Sequence, residues 1–385
     1  MILRDLKSCW LSALLGITLP VVAMRLLYWN EMRAVRFGLA LEEALEDAVS
    51  VRDDHPYDRA YEKRVIHLRG SINTGEPLTE PDYGLQVQAV KLKRRVQMYQ
   101  WIEFVSKSDP SSQLAEPSYQ YSVDWHDDLI NSSRFANQNW YHNPSTFPLE
   151  SKTFTSERVY IGQYELSDAL KERFNNFIEI TSDTRPEDPS IKMHSGMYYH
   201  ANDLWNPEIG DFRVQFSCAG RRGSTYTVVG RLKNGKIVPF ESVYARDVLL
   251  LYPGEIPLKD VLKLEYQSKQ IIFWSKRLLG WALLFFTVIF ANATMQRLKG
   301  HSPLLKSIIA NSQLTVPIGL LVSFGFSMLI VGIVYFYYRP WLGTGMCLSA
   351  AALLLYLLYS LCQNEETSVC VRRAQRILKT QKCIN

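Results

Sequence analysis

The chain has 385 residues, 47% of them hydrophobic, and a formal net charge of +5 at pH 7. Three long apolar runs near the C-terminus mark a membrane protein with one soluble portion, and so mild a charge excludes the strongly basic footprint of a nucleic-acid binder. Of the six cysteines only Cys218 lies in the soluble portion, so that portion is held by its core and not by an internal disulfide.

Residues 1–8 carry Arg4 and Lys7 and precede a first predicted transmembrane helix over 9–29, uncharged from Cys9 to Met24 and closed by Tyr28 and Trp29 as an interface anchor. Arg25 is near enough to that end to snorkel. The alternative for this segment is a cleaved signal peptide, with Val21 and Ala23 at the cleavage site. Residues 30–270 form the predicted soluble domain. Val35, Leu39, Leu41, Leu45 and Val49 recur near a helical period, which predicts a helix over Asn30–Val51, followed by a polar connector from Arg52 to Tyr61.

The centre of the domain is the stretch from Asp82 to Val105. Apolar Val96, Met98, Ile102 and Phe104 alternate with Arg95, Gln97, Tyr99, Trp101 and Glu103, with Gln100 the exception, which is the pattern of a half-buried strand. A second alternating run, Tyr119 to Trp125, follows the turn-rich Ser108–Ser112 patch and predicts its antiparallel partner. Further β-type runs are Val65–Leu68, Val159–Leu166, Phe212–Cys218, Tyr226–Leu232 and Val248–Tyr252, and Ser167–Phe174 reads as a short capped helix. Lys233-Asn234-Gly235-Lys236 is the sharpest hairpin signal, because Asn-Gly suits a turn with positive φ at both positions. The fold class expected is a four-span α-helical membrane protein with a large β-rich, α+β, barrel-like lumenal or periplasmic domain.

The remaining spans are 278–295, 314–338 and 341–362, all long enough to cross a hydrocarbon core of about 30 Å. Residues 296–313 read as a cytoplasmic interfacial loop and 363–385 as a cytoplasmic basic tail. With the N-terminus inside, the cytoplasmic flanks hold Arg4, Lys7, Arg297, Lys299, Lys306, Arg372, Arg373, Arg376, Lys379 and Lys382 against Arg339 outside; Lys276 and Arg277 count against this orientation. Arg339-Pro340 predicts a tight helical hairpin. Gly319, Ser323 and Ser327 recur every fourth residue as a small face for helix packing, within the chain or between copies. The last two spans carry none of the ionisable residues that a proton or ion pathway needs.

For chemistry, His126 beside Asp127 and Asp128, His142, His194 and His200 lack metal-type spacing, and Ser195 lacks a nucleophile elbow; the expectation is no catalytic or metal site and no cofactor. Lys91, Lys93, Arg94 and Arg95 form the candidate lipid or partner contact, with a solvated or ion-paired strand edge as the plain alternative. Gly220-Arg221-Arg222-Gly223 has the composition of a phosphate cradle and equally of a hairpin tip.

AVKLKRRVQMYQWIE after Asp82-Tyr83-Gly84, with NEMRAVRFGLALEEALEDAV, HNPS, NPEIGDFRVQFSCAG and YYRPW in the same order, closely resembles the transmembrane protein 43 (LUMA) family over nearly the whole chain. The tail after Gln363 shows no match. The resemblance implies a retained first helix, an N-in topology and a barrel resembling an oligonucleotide-binding fold. It further implies a non-enzymatic scaffold that organises the membrane through self-association as a homo-oligomer, membrane lipids and protein partners. In a eukaryote the location implied is the endoplasmic reticulum and inner nuclear membrane, with lamina-associated partners such as emerin and lamins; in a bacterium it is the inner membrane. No nucleic-acid partner is expected. Two other classes stand beside this one: a membrane-anchored lipid-directed enzyme, which needs a polar triad or metal cluster in a pocket, and a channel-regulating subunit, which needs a polar path through the helices.

Overall fold

A computed structural model describes residues 2–54, 57–106, 117–181, 186, 188–244, 247–298 and 316–360. The Ser108–Ser112 turn, all but the start of the 296–313 loop and the 363–385 tail lie outside the described residues. Five α-helices are described: α1 (Ile2–Asp47), α2 (Asp168–Lys171), α3 (Leu258–Leu298), α4 (Val316–Tyr338) and α5 (Pro340–Ser360). The strands are β1 (Ala48–Arg52), β2 (Val65–Thr74), β3 (Leu78–Glu80), β4 (Leu85–Val87), β5 (Ala89–Ser106), β6 (Ser118–His126), β7 (Lys152–Thr155), β8 (Val159–Ile161) and β9 (Tyr164–Leu166). They continue with β10 (Ile178–Glu179), β11 (Lys192–His194), β12 (Met197–His200), β13 (Phe212–Arg221), β14 (Thr225–Lys233), β15 (Lys236–Val238), β16 (Phe240–Glu241), β17 (Asp247–Val248) and β18 (Leu250–Pro253). Two compact units result, one built on the helices and one on the strands, the strand unit comprising Ala44–Ser242 and Asp247–Val261.

In the helical unit, α1, α3, α4 and α5 are each long and apolar enough to cross a membrane. The predicted first span and the predicted amphipathic helix after it are one continuous helix of 46 residues. That helix stops at Asp47, short of the expected Val51, because β-branched Val49 and Val51 pair with β2 and Val51 is buried there. Helix α1 packs against α3 through small residues: a Cβ on Gly280 would come within 2.5 Å of Leu27, and one on Gly16 within 3.7 Å of the Ala291 backbone. Pro340 opens α5 at a position where no backbone donor is needed, and a Cβ on Gly343 would lie 2.0 Å from the Phe336 backbone, so the α4–α5 hairpin is as tight as Arg339-Pro340 predicts.

The strand unit contains a closed barrel. Strands β2, β8, β9, β15 and β14 follow one another round the ring, and β14 pairs back to β2. Taken in chain order these five are arranged 1-2-3-5-4-1, and only the third and fifth, β9 and β15, run parallel. That connectivity is the Greek key of an oligonucleotide-binding fold. Two insertions interrupt it: β3–β7 between the first and second barrel strands, and β10–β13 between α2 and the fourth. The insertions find each other, because β13 pairs with β5 over Phe212–Arg221 to build a second sheet in the order β11-β12-β13-β5-β6, with β7 on β5 and β10 on β13.

Ile66, Leu68, Ile161, Tyr164, Val228 and Ile237 fill the barrel, joined by Val90 and Ala219 from the inserted sheet, while Leu92, Val96, Tyr198, Val214 and Phe216 form the second core. The Asn234-Gly235 turn has the expected positive φ at both residues, 51° and 75°, with Lys233 opposite Lys236. Helix α2 is shorter than the expected Ser167–Phe174 helix, and the buried Ser167 hydroxyl makes no cap hydrogen bond.

Candidate functional site

The central strand β5 places its basic run in four different environments. Lys91 is buried, and its Nζ donates to the Glu172 carbonyl at 2.8 Å. Lys93 is exposed and sits over the Phe177 ring at 5.7 Å. Arg94 points to the other face of the strand and donates to both carboxylate oxygens of the nearly buried Glu80, at 2.9 and 3.1 Å. Arg95 forms a half-exposed fork with Asp127, closest at 2.7 Å. The four therefore share no single face, and three of them already have oxygen partners.

Further along β5, Met98 is fully buried, Ile102 only partly and Phe104 is 53% exposed. Gln100, the exception in the alternation, is fully buried: its amide donates to the Asp128 carbonyl at 3.0 Å and accepts from the Ile130 amide at 2.9 Å. The predicted partner is correct in direction, β6 running antiparallel, and the register sets Met98 opposite His126 and Val105 opposite Tyr119. On its other side β6 has no paired strand among the described residues. Around this edge Phe104, Val105 and Tyr119 stand between 40% and 53% exposed, and elsewhere on the unit Trp140 and Trp205 are 82% and 80% exposed.

Among the described residues no group of three or more His, Cys, Asp or Glu side chains is placed to hold a metal. His194 packs on Trp205 and His200 stacks on Phe212 at 4.1 Å. The Tyr83 hydroxyl and His200 Nε2 share a hydrogen bond at 3.0 Å; burial lowers the His200 pKa and pushes Tyr83 up to about 12. Gly220 does not sit at a tip: it has φ 68°, and a Cβ there would meet Phe174 and Val90 at 2.7 Å, which locks the crossing from the inserted sheet to the barrel.

The helical unit holds a polar constellation that the sequence reading missed. Glu31 on α1 is fully buried and accepts from Arg277 Nε and Nη2 on α3 at 2.6 and 2.7 Å. The Asn30 amide donates to Glu31 and to the Phe273 carbonyl, and the Arg277 guanidinium stacks 4.6 Å from the Trp274 ring. Further up α1, Arg36 donates to the Tyr338 hydroxyl at 2.6 Å, and Glu42 accepts from Arg339 Nη2 at 2.5 and 2.7 Å. The signal was present as a carboxylate just past Trp29 and a cation at the mouth of the next span.

The small face divides between partners. Gly319 lies against Phe285 and Val288 of α3, Ser323 is fully buried with its hydroxyl on the Leu320 carbonyl, and Ser327 lines a cavity between α3, α4 and α5. Gly325 and Gly332, which the spacing did not single out, take Leu354 and Cys347 of α5.

Comparison with known proteins follows this architecture. The family description "Transmembrane protein 43" matches residues 98–340. A Drosophila melanogaster protein described as a transmembrane protein 43 homolog is 41% identical over 355 residues, covering 91% of this chain and 94% of its own. Human transmembrane protein 43 is 29% identical over 338 residues, 84% of each chain, and the Pongo abelii protein of the same name is 29% identical over 351 residues, 88% of this chain and 87% of its own. No solved structure matches.

Proposed function

Because the chain belongs to the transmembrane protein 43 family, we propose that it is a non-enzymatic integral membrane scaffold whose strand unit faces the lumen and gathers protein partners, beginning with a second copy of itself. The observation that carries this reading is the outer edge of β6, which pairs with no further strand among the described residues. A strand edge of nine residues with an apolar rim is a template for further strand pairing, and soluble proteins normally blunt such edges. One blunting device is Asp124 Oδ1 accepting from the Trp125 amide at 2.7 Å, and among the described residues the Ser118–Val123 half of the edge has no further strand partner. A homo-oligomer built on it is twofold, β6 pairing with its own copy.

The relatives are animal proteins, and on that ground the bilayer we assign is the endoplasmic reticulum and inner nuclear membrane, with lamina-associated proteins such as emerin and lamins as further partners. The test is the mass of the full-length protein in lipid nanodiscs. The scaffold reading expects a dimer or larger assembly that falls to monomer when Tyr119 and Val123, whose amides face away from β5, are replaced by Pro, which removes edge donors. A wild-type protein that stays monomeric at micromolar concentration contradicts it.

A further inference from the structure

In the strand unit a cavity of about 500 Å³ opens at the border of the second core, between the β3–β4 turn, the loop before β7, the segment before β11 and the adjoining ends of β12 and β13. Leu149, Ile191 and Phe212 belong to that core and give the cavity an apolar wall, with His200 stacked on Phe212 at 4.1 Å. Asp82 and Asp188, both exposed, complete the lining. Asp188 Oδ1 accepts from the Ser190 amide at 2.8 Å, which holds that carboxylate in one orientation.

No lysine or arginine lines the cavity, so the two carboxylates there are uncompensated. His200 adds no counter-charge at pH 7, because burial outweighs the pull of Asp188 and lowers its pKa below the ordinary 6.5. A negative cavity with ring walls selects a cation. A metal ion does not fit, since among the described residues no three His, Cys, Asp or Glu groups are placed to hold one. A phosphocholine headgroup does not fit either, because the phosphate next to its ammonium is repelled by the same carboxylates. An arginine carries its charge on an apolar stem and lays a planar guanidinium on aromatic rings. Pockets of roughly 300–1,000 Å³ bury a drug-sized group, so the side chain beside that arginine enters with it.

We propose that this cavity docks an arginine from an extended segment of a partner protein. Its guanidinium pairs with Asp82 and Asp188 against the Phe212 ring, and its stem, with an adjoining apolar side chain, packs on Leu149 and Ile191. This deepens the scaffold reading by giving its protein partners a chemistry, and it is tested without the β6 edge.

The experiment selects a random dodecapeptide library, displayed on phage, against full-length protein in nanodiscs, and measures the enriched peptides by fluorescence anisotropy. The expected peptides share an arginine beside an apolar residue, and citrulline in place of that arginine weakens binding at least tenfold. Asp82→Asn and Asp188→Asn each weaken it about three- to fivefold, the scale of an exposed charge pair, and Leu149→Trp, which fills the cavity, abolishes it. Unchanged thermal unfolding of the two Asn variants shows that the unit is intact. The double variant Tyr119→Pro, Val123→Pro keeps the peptide, so failure of β6 pairing and failure of this site are told apart. No enrichment, enriched peptides without a basic residue, or affinities indifferent to both Asn variants and to Leu149→Trp overturn the proposal, as does displacement of the peptide by micromolar calcium or spermidine.

Discussion

Glu31 accepts two charge-assisted hydrogen bonds from Arg277, at 2.6 and 2.7 Å, from a position on α1 that solvent does not reach. A buried pair of this kind is worth little against an apolar replacement, but losing one partner strands the other charge. Glu31→Gln is therefore expected to destabilise the helical unit by about 3–5 kcal/mol. Thermal unfolding of the full-length protein in detergent measures it. The exchange Glu31→Arg with Arg277→Glu recovers part of the loss, whereas a purely steric role for Glu31 predicts no recovery.

Met98 and Ile102 share the apolar face of β5 but not its burial. Met98→Ala is expected to cost about 2–5 kcal/mol, and Ile102→Ala distinctly less, because Ile102 is only partly buried. Equal losses in chemical denaturation would mean that the far half of β5 is covered by a partner in the measured state.

His67 is 1% exposed, its Nε2–H donating to the Ile256 carbonyl at 2.9 Å and its Nδ1 accepting from the Ser50 hydroxyl at 3.0 Å. Burial lowers its pKa below the ordinary 6.5. The unfolded chain then takes up a proton near pH 6.5 before the folded chain does. The stability His67 contributes is complete above that pH and is lost as the pH falls from 6.5 through the lowered native value. The melting temperature of the full-length protein should fall between pH 7.5 and 5.5, and fall less in His67→Gln. A pH slope identical in the two proteins would rule His67 out as the source.

The sequon Asn131-Ser132-Ser133 tests the orientation. Asn131 is exposed, and its Oδ1 accepts from the Ser133 amide and hydroxyl at 3.1 and 2.6 Å, a turn open to solvent. Translation into microsomes is expected to add a glycan that Asn131→Gln abolishes, with the strand unit protected from added protease. Digestion of the unit in sealed vesicles reverses the topology.

Much of this architecture is legible along the chain because its cause is local. Alternation gave β5 and β6 their faces, Asn234-Gly235 gave the β14–β15 turn, and run length gave the spans. The barrel was not legible from pattern alone, since its closure depends on β2 meeting β14 across about 160 residues, and both insertions interrupt the order. Gln100 looked like a flaw in the strand because the two backbone groups that satisfy it belong to a loop near residue 130. Four adjacent basic residues looked like a patch because sequence shows charges and not their partners; Glu80, Asp127 and the Glu172 carbonyl come from three separate segments. Glu31 and Arg277 were read as separate flanks for the same reason.

The scaffold account rests on β6 pairing with its own copy, and the most direct measurement is cysteine cross-linking along that edge in membranes. Single cysteines at each position from 118 to 123 of the full-length protein, exposed to a mild oxidant, are expected to give an intermolecular disulfide at the position nearest the twofold axis and to lose it on either side, with none in the wild-type protein. Failure to cross-link at every position, together with a monomer mass in nanodiscs, would contradict the account.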